Sequence, residues 1–344
     1  MGKAERVAII EKIEKERNAK LITYITSTRQ NHEVQMAIDT IRKFYNHLIE
    51  IDEKDRGKVN IDLMIVSNGG DGIVPWRLVT LIREFAKEFC VLIPYRAFSA
   101  ATLTALGADR IIMHPMGMLG PTDPTVTNQF NPDDPKNPAA KLGISVEDVT
   151  AYISLIREDA GIRHEDEVIQ AFNQLASRIH PLALGNVKRS LSQSKMMAQK
   201  LLSLHMNRAK DQHSIDEIVD NLTSKLYYHG HPINRKEAKE QVGLKNIEYP
   251  ELKLEKLIWD LYLEYEKEIK SEEPFDPLME FVANNQALQP NQNATLNMSC
   301  KIAFIESSKI TDYAVIDYSI YGTKQVNGTV QIIPNIVARG WKNE

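Results

Sequence analysis

Cysteine is nearly absent: Cys90 and Cys300 are the only two in 344 residues, and they stand far apart. A disulfide framework is therefore not expected, which fits a reducing compartment. Cys90 adjoins an apolar run, where a small buried thiol is the structural reading. No stretch approaches the ~18 to 20 consecutive apolar residues that cross a bilayer, so no membrane span is expected. The N-terminal twenty residues alternate charge with Ile and Val at helical spacing and lack the apolar core of a signal peptide. A cytoplasmic location is the expectation. Neither sign of charge dominates, with 42 basic and 46 acidic residues and a net charge of −4. No polybasic block occurs, so nucleic acid is not an expected partner. Ser67 to Gly72 lacks a following Gly-Lys-Ser/Thr, which disfavours a phosphate-binding P-loop. His229 and His231 lie two apart without cysteine neighbours, and His114 sits in an apolar strand as a packing residue. No metal and no cofactor is expected.

What is present is a globular chain, 43% hydrophobic and 26% charged. Lys20 to Thr26 reads as a β-branched strand, and Val34, Ala37, Ile38, Ile41, Phe44, Tyr45 and Leu48 recur at helical spacing. The apolar runs Ile61 to Val66 and Val91 to Tyr95 read as buried strands, with a helical pattern between them at Trp76, Val79, Ile82 and Phe85. Such alternation makes a parallel sheet with crossover helices. Helices are expected at 145–159, 164–178, 185–209 and 214–226, forming a helical insert of about 145–226 within a domain over 1–250. A helix and a Gln/Asn-rich linker occupy 251–295. From 296 to 344 the chain turns β-rich, and Asn327-Gly328 is a hairpin signal.

Two turns carry the chemistry. The strand ending at Val66 stops at Ser67-Asn68-Gly69-Gly70, and the strand ending at Tyr95 runs into Ala97-Phe98-Ser99-Ala100-Ala101. Parallel strands end together, and ligands bind outside their carboxyl ends. Gly69 and Gly70 let backbone N–H groups point into a tight site without a Cβ clash. Ala100 follows Ser99 and offers a further N–H. A nucleophile, Ser99, beside an oxyanion hole made by Gly69, Gly70 and Ala100 is the reading.

These turns, with Ala105-Leu-Gly-Ala-Asp-Arg-Ile111 and Gly117-Met-Leu-Gly120, resemble the ClpP/crotonase superfamily. More narrowly the chain looks like the signal peptide peptidase A group and its serine dehydrogenase proteinase relatives, over about residues 20–250. The resemblance implies an α/β fold with a ClpP/crotonase-like parallel sheet, crossover helices, a helical C-terminal extension and a small β appendage. It also implies a serine peptidase or related hydrolase, a peptide or protein substrate and a homo-oligomer.

A ClpP-type histidine position falls on Thr122 in Pro121-Thr122-Asp123-Pro124, so a Ser-His-Asp triad of that order is absent. Signal peptide peptidases use a lysine instead, carried after a segment like Leu142-Gly143-Ile144. The candidates are Lys141, with Lys136 and Lys188 as alternatives. A lysine serves as general base only where burial lowers its pKa. Two other functions remain open on these residues: a noncatalytic peptide- or protein-binding scaffold, and a crotonase-like acyl-CoA enzyme that keeps the glycine turn.

Overall fold

The computed structural model describes residues 2–135, 137–224 and 230–344. The helices are α1 (Lys3–Arg17), α2 (Thr40–Ile49), α3 (Val74–Phe85), α4 (Ala100–Leu106), α5 (Val146–Ser154), α6 (Glu165–Arg178), α7 (Pro181–Leu202), α8 (Arg208–Ser224), α9 (Arg235–Glu240), α10 (Leu252–Ile269) and α11 (Pro277–Asn284). The strands are β1 (Ala19–Thr26), β2 (Val59–Val66), β3 (Ala86–Ile93), β4 (Arg96–Ala97), β5 (Arg110–Met113), β6 (Met118–Leu119), β7 (Thr125–Val126), β8 (Asp133–Asp134), β9 (Asn137–Lys141), β10 (Ile144–Ser145), β11 (Ile233–Asn234), β12 (Ile247–Glu248), β13 (Asn293–Glu306), β14 (Thr311–Lys324) and β15 (Val330–Asn343).

One eight-stranded sheet in the order β12-β5-β3-β2-β1-β13-β14-β15 forms the centre. From β12 to β1 every pairing is parallel, and from β1 to β15 every pairing is antiparallel. The parallel part explains the unbroken apolar runs, because helices cover both of its faces. Alternate residues of β2 serve opposite faces. Leu63 and Ile65 pack with Phe44 of α2, Leu78 and Ile82 of α3 and Leu201 of α7. Met64 and Val66 pack instead with Ile10 and Ile13 of α1 and Ile258, Leu261 and Tyr265 of α10. This is the mixed α/β architecture that the resemblance implies.

Two segments fold differently from their sequence pattern. The helical stripe starting at Val34 forms helix only from Thr40. Residues before it are tied to the glycine turn, where Met36 N–H donates to Gly69 C=O at 2.8 Å and Asp71 N–H donates to Met36 C=O at 2.9 Å. Backbone pairing to a non-local partner outweighs the weak local preference for helix there. The β-rich end is longer than its apolar pattern, since β13, β14 and β15 each run 14 residues and the first begins inside the expected linker. Asn327-Gly328 lies in the turn between β14 and β15, with Gly328 at φ 86°. Thr23 to Thr26 of β1 pair with Glu306 to Ala303 of β13, so the C-terminal strands continue the main sheet and cover an edge that β1 would otherwise expose.

Candidate active site

At the carboxyl ends of β1, β2 and β3 the chain closes its turns on one another. Ser67 N–H donates to Arg96 C=O and Phe98 N–H donates to Ser67 C=O, each at 2.9 Å, which extends β2 against β4 and brings the turn at 67–70 beside residue 99. Ser67 itself is fully buried and structural. Its Oγ accepts from Thr26 Oγ1 at 2.8 Å and from Gly69 N–H at 3.0 Å, which locks the turn to β1. The β4 side is anchored by Thr102, whose Oγ1 accepts from Gly120 N–H at 3.0 Å and lies 2.7 Å from Ala97 C=O.

Both glycines are required by geometry. Gly69 has φ 98°, and a Cβ there would stand 2.7 Å from Ser99 Cβ and 2.8 Å from Phe98 C=O. Gly70 has φ 153°, and its Cβ would collide with the Met36 backbone. The same closeness puts the glycine turn against the serine. Gly69 N–H is already engaged by Ser67 Oγ, whereas the N–H groups of Gly70 and Ala100 donate to no acceptor among the described residues.

Ser99 occupies the N-cap position of α4 with φ 51° and ψ −112°, and its side chain makes no capping hydrogen bond. A serine at that position ordinarily accepts from the first turn of its helix. Here the hydroxyl is left for the cleft. That cleft, about 440 Å³, is lined by Asn68, Gly70, Ser99, Ala100 and Thr122, with Ser194 contributed by α7. Glu33 and Asp71 bring carboxylates to its rim, and its described lining contains no lysine, arginine or histidine.

The three lysines fare differently from the two turns. Lys141 is exposed and its Nζ donates to Asp133 Oδ1 at 2.7 Å, across the β8–β9 pair. Lys188 is exposed on α7, the helix whose Ser194 Oγ donates to Thr122 C=O at 2.5 Å. Neither lysine lines the cleft. Lys136 and His229 lie outside the described residues.

Thr122 is more telling in place than in sequence. It is buried, its N–H donates to Leu222 C=O at 2.9 Å, and its Oγ1 has no hydrogen-bond partner among the described residues. Asn68 Oδ1 in the same cleft is likewise buried and without a hydrogen-bond partner among the described residues. A buried hydroxyl without a partner forfeits its hydration, so these atoms are poised for a ligand or a water. The contribution of α7 through Ser190, Gln193 and Ser194 had no signal in the sequence, because polar residues on a helix read as a solvated face.

Cys90, Cys300, His114 and His231 are not among the residues that line the cleft. Cys90 and Cys300 are buried free thiols, and burial pushes both above the ordinary thiol range. His114 stacks on Trp259 with 4.8 Å between ring centroids, and burial lowers its pKa. His231 Nε2 lies 2.6 Å from Glu237 Oε1. No described helix is long and apolar enough to cross a membrane.

Known proteins bear on this geometry. The chain is 32% identical over 100 residues to an uncharacterized protein of Methanocaldococcus jannaschii, covering 29% of this chain and 35% of that one. A second uncharacterized protein of the same organism is 25% identical over 180 residues, covering 52% and 50% of the two chains. This chain therefore spans about a third and half of the lengths of these relatives. Among solved structures, a serine-to-alanine mutant of 1510-N membrane-bound stomatin-specific protease aligns with TM-score 0.26 and 19% identity over 44% of this chain and 70% of that one. A lysine-to-alanine mutant of the same protease with a substrate peptide aligns with TM-score 0.27 and 16% identity over 72% and 99%. A family model described as ClpP-like SDH-type serine proteinase matches residues 2–178, half of the chain and both turns of the cleft, and this chain belongs to that family.

Proposed function

We propose that this member of the family is a peptidase in which Ser99 Oγ attacks the carbonyl of a peptide bond. The observation that carries the reading is the state of Ser99: a left-handed φ of 51°, a hydroxyl withheld from capping, and a Cβ pressed against Gly69. A non-glycine residue in such a conformation costs about 1–3 kcal/mol, and strain of this kind is concentrated at functional sites. In this reading Gly70 and Ala100 N–H groups hold the oxyanion, and Gly69 permits the close approach. Preorganised donors of this kind are worth about 10²- to 10³-fold in rate each.

The proton carrier in this proposal is a lysine, Lys141 first, with Lys136 and Lys188 as alternatives. Lys141 would have to exchange Asp133 for the less hydrated surroundings of Ser99, where desolvation lowers the pKa of an amine. Ser99→Ala should remove peptide turnover and the fluorophosphonate adduct mapped to residue 99. Persistent turnover in that variant would falsify the assignment. Lys141→Ala should lower turnover far more than Lys188→Ala, and the reverse order transfers the role.

A second reading is favoured by the lack of lysine and histidine in the described lining of the cleft. A noncatalytic peptide-binding member of the family would capture peptides tightly at this cleft and release them uncut. We also propose a homo-oligomer, for which light scattering at micromolar concentration is the check. A stable monomer there counts against it.

A further inference from the structure

A second serine stands at the opposite edge of the sheet, where β1 and β2 begin. Ser307 follows β13 in the turn to β14, and its Oγ lies 2.9 Å from His47 Nδ1 of α2. The other ring nitrogen, Nε2, faces Asp312 Oδ2 at 3.4 Å, and both of these side chains are buried, at 0% and 1% exposure. Asp312 Oδ1 is separately held by Lys43 Nζ at 3.1 Å and Asn343 Nδ2 at 3.2 Å, which leaves Oδ2 for the imidazole. Long bonds from Lys309 N–H at 3.4 Å and Ile310 N–H at 3.3 Å place Ser307 Oγ in its turn without consuming its proton. With the proton on Nε2, His47 accepts from Ser307 at Nδ1, while Nε2 faces Asp312 Oδ2 at a distance and angle that make no hydrogen bond.

These groups open on a cavity of about 290 Å³ lined by Ser307, Ser308, His47, Ile51, Lys20 and Lys309. Glu14, Glu50, Asp52 and Asp55 line the same cavity, so its two ammonium groups stand among carboxylates beside the serine hydroxyl and its imidazole. Burial lowers the pKa of His47, which keeps the ring in the neutral form that accepts a proton. The cleft of Ser99 supplies none of these residues.

We propose that Ser307, His47 and Asp312 form a second nucleophilic centre that takes small acyl or phosphonyl esters independently of Ser99. Ser307 Oγ forms a bond to the acyl carbon while its proton passes to His47 Nδ1. The leaving alcohol departs with that proton, and water then cleaves the serine ester to return the free hydroxyl and release the acid. The cavity's two cations are shared with carboxylates, Lys20 Nζ lying 3.8 Å from Glu14 and Lys309 Nζ 3.8 Å from Glu50. Asp312 is a positioning residue that orients the ring and stabilises its protonated form.

The test uses the full chain as the S99A variant, treated with a small alkyl fluorophosphonate and mapped by peptide mass. The expected result is an adduct on the peptide containing Ser307, absent from the S99A/S307A protein. Adding His47→Gln should slow adduct formation by about 10²-fold or more, the usual worth of a general base. No adduct on Ser307, or an unchanged rate without His47, overturns the proposal. The mapping needs no change at the second centre, so it decides the matter even where a His47 variant folds poorly.

Asp312→Asn should also move the pH midpoint of that reaction downward. The charged groups facing His47 are then Lys43 on its own helix, Glu306 on β13, and Glu14, Glu50, Asp52, Asp55, Lys20 and Lys309 around the cavity. A lower rate at every pH with the midpoint unmoved overturns the role of Asp312.

Discussion

Gly69 and Ser99, thirty positions apart in the chain, meet so closely that the glycine has no room for a side chain: its Cβ would stand 2.7 Å from that of the serine. The contact exists because Ser67 bridges β2 to β4, drawing both turns to one point. It also sets the distance between the Ser99 side chain and the backbone N–H groups of the glycine turn.

Gly69→Ala meets both the clash and a φ of 98°, which L-residues rarely adopt. Thermal unfolding should show a loss of about 1–3 kcal/mol, and labelling of Ser99 should fall at least tenfold. A variant as stable and as reactive as the parent would show that the turn yields freely.

Ser99→Gly relieves the left-handed backbone, while Ser99→Ala retains it. Both lack the hydroxyl, so denaturant titration compares backbone strain alone. The glycine variant should be the more stable of the two by about 1 kcal/mol. Equal stabilities would mean that φ 51° carries little strain here.

Thr122→Val replaces a buried, unpartnered hydroxyl with a methyl group of the same shape. Stability should be unchanged or rise by up to about 1 kcal/mol, because no hydrogen bond is lost. Peptide turnover should fall if that hydroxyl meets the substrate. A large loss of stability would reveal a partner for Thr122 in solution.

Burial lowers the pKa of His32, His47, His114 and His205 below the ordinary histidine value. As pH falls through about 6.5 the unfolded chain protonates first, so it binds more protons than the native state and stability declines. The loss begins near the unfolded value and ends below the folded ones, at no more than about 1.4 kcal/mol per pH unit for each histidine. Melting at pH 7.5, 6.5 and 5.5, ordinary values around the histidine range, should show a falling Tm. A rising Tm over that interval would contradict buried neutral rings.

Glu306 ties the end of β13 to α1 and α10. It accepts from Arg6 Nε at 2.7 Å, Tyr265 OH at 2.6 Å and Thr311 Oγ1 at 2.7 Å, all in the interior. Glu306→Leu leaves the Arg6 charge buried without its main partner and should cost about 3–5 kcal/mol in denaturant unfolding. The double variant Arg6→Met, Glu306→Leu should recover most of that loss, and a failure to recover would place the cost elsewhere.

The alternation of buried strands and amphipathic helices announced the parallel sheet, because both faces of such strands must be apolar. The two turns were equally legible, since Gly69, Gly70 and Ser99 lie immediately after those strands and parallel strand ends coincide. The hairpin at Asn327-Gly328 was readable for a local reason, the left-handed backbone that it requires.

Other features had no local signature. Residues 34–39 carry a helical stripe, yet Met36 pairs with the glycine turn across the cleft. The β-rich end attaches to β1 through residues nearly three hundred positions away. Lys141 sits beside Asp133 rather than Ser99, and Ser307, His47 and Asp312 converge from three separate elements. Periodicity reports which face of a segment is buried but not what it is buried against. Strand ends, turns and the candidate nucleophile were therefore determined by the sequence itself, while the company that Ser99 keeps and the second serine's environment were decided only by long-range packing.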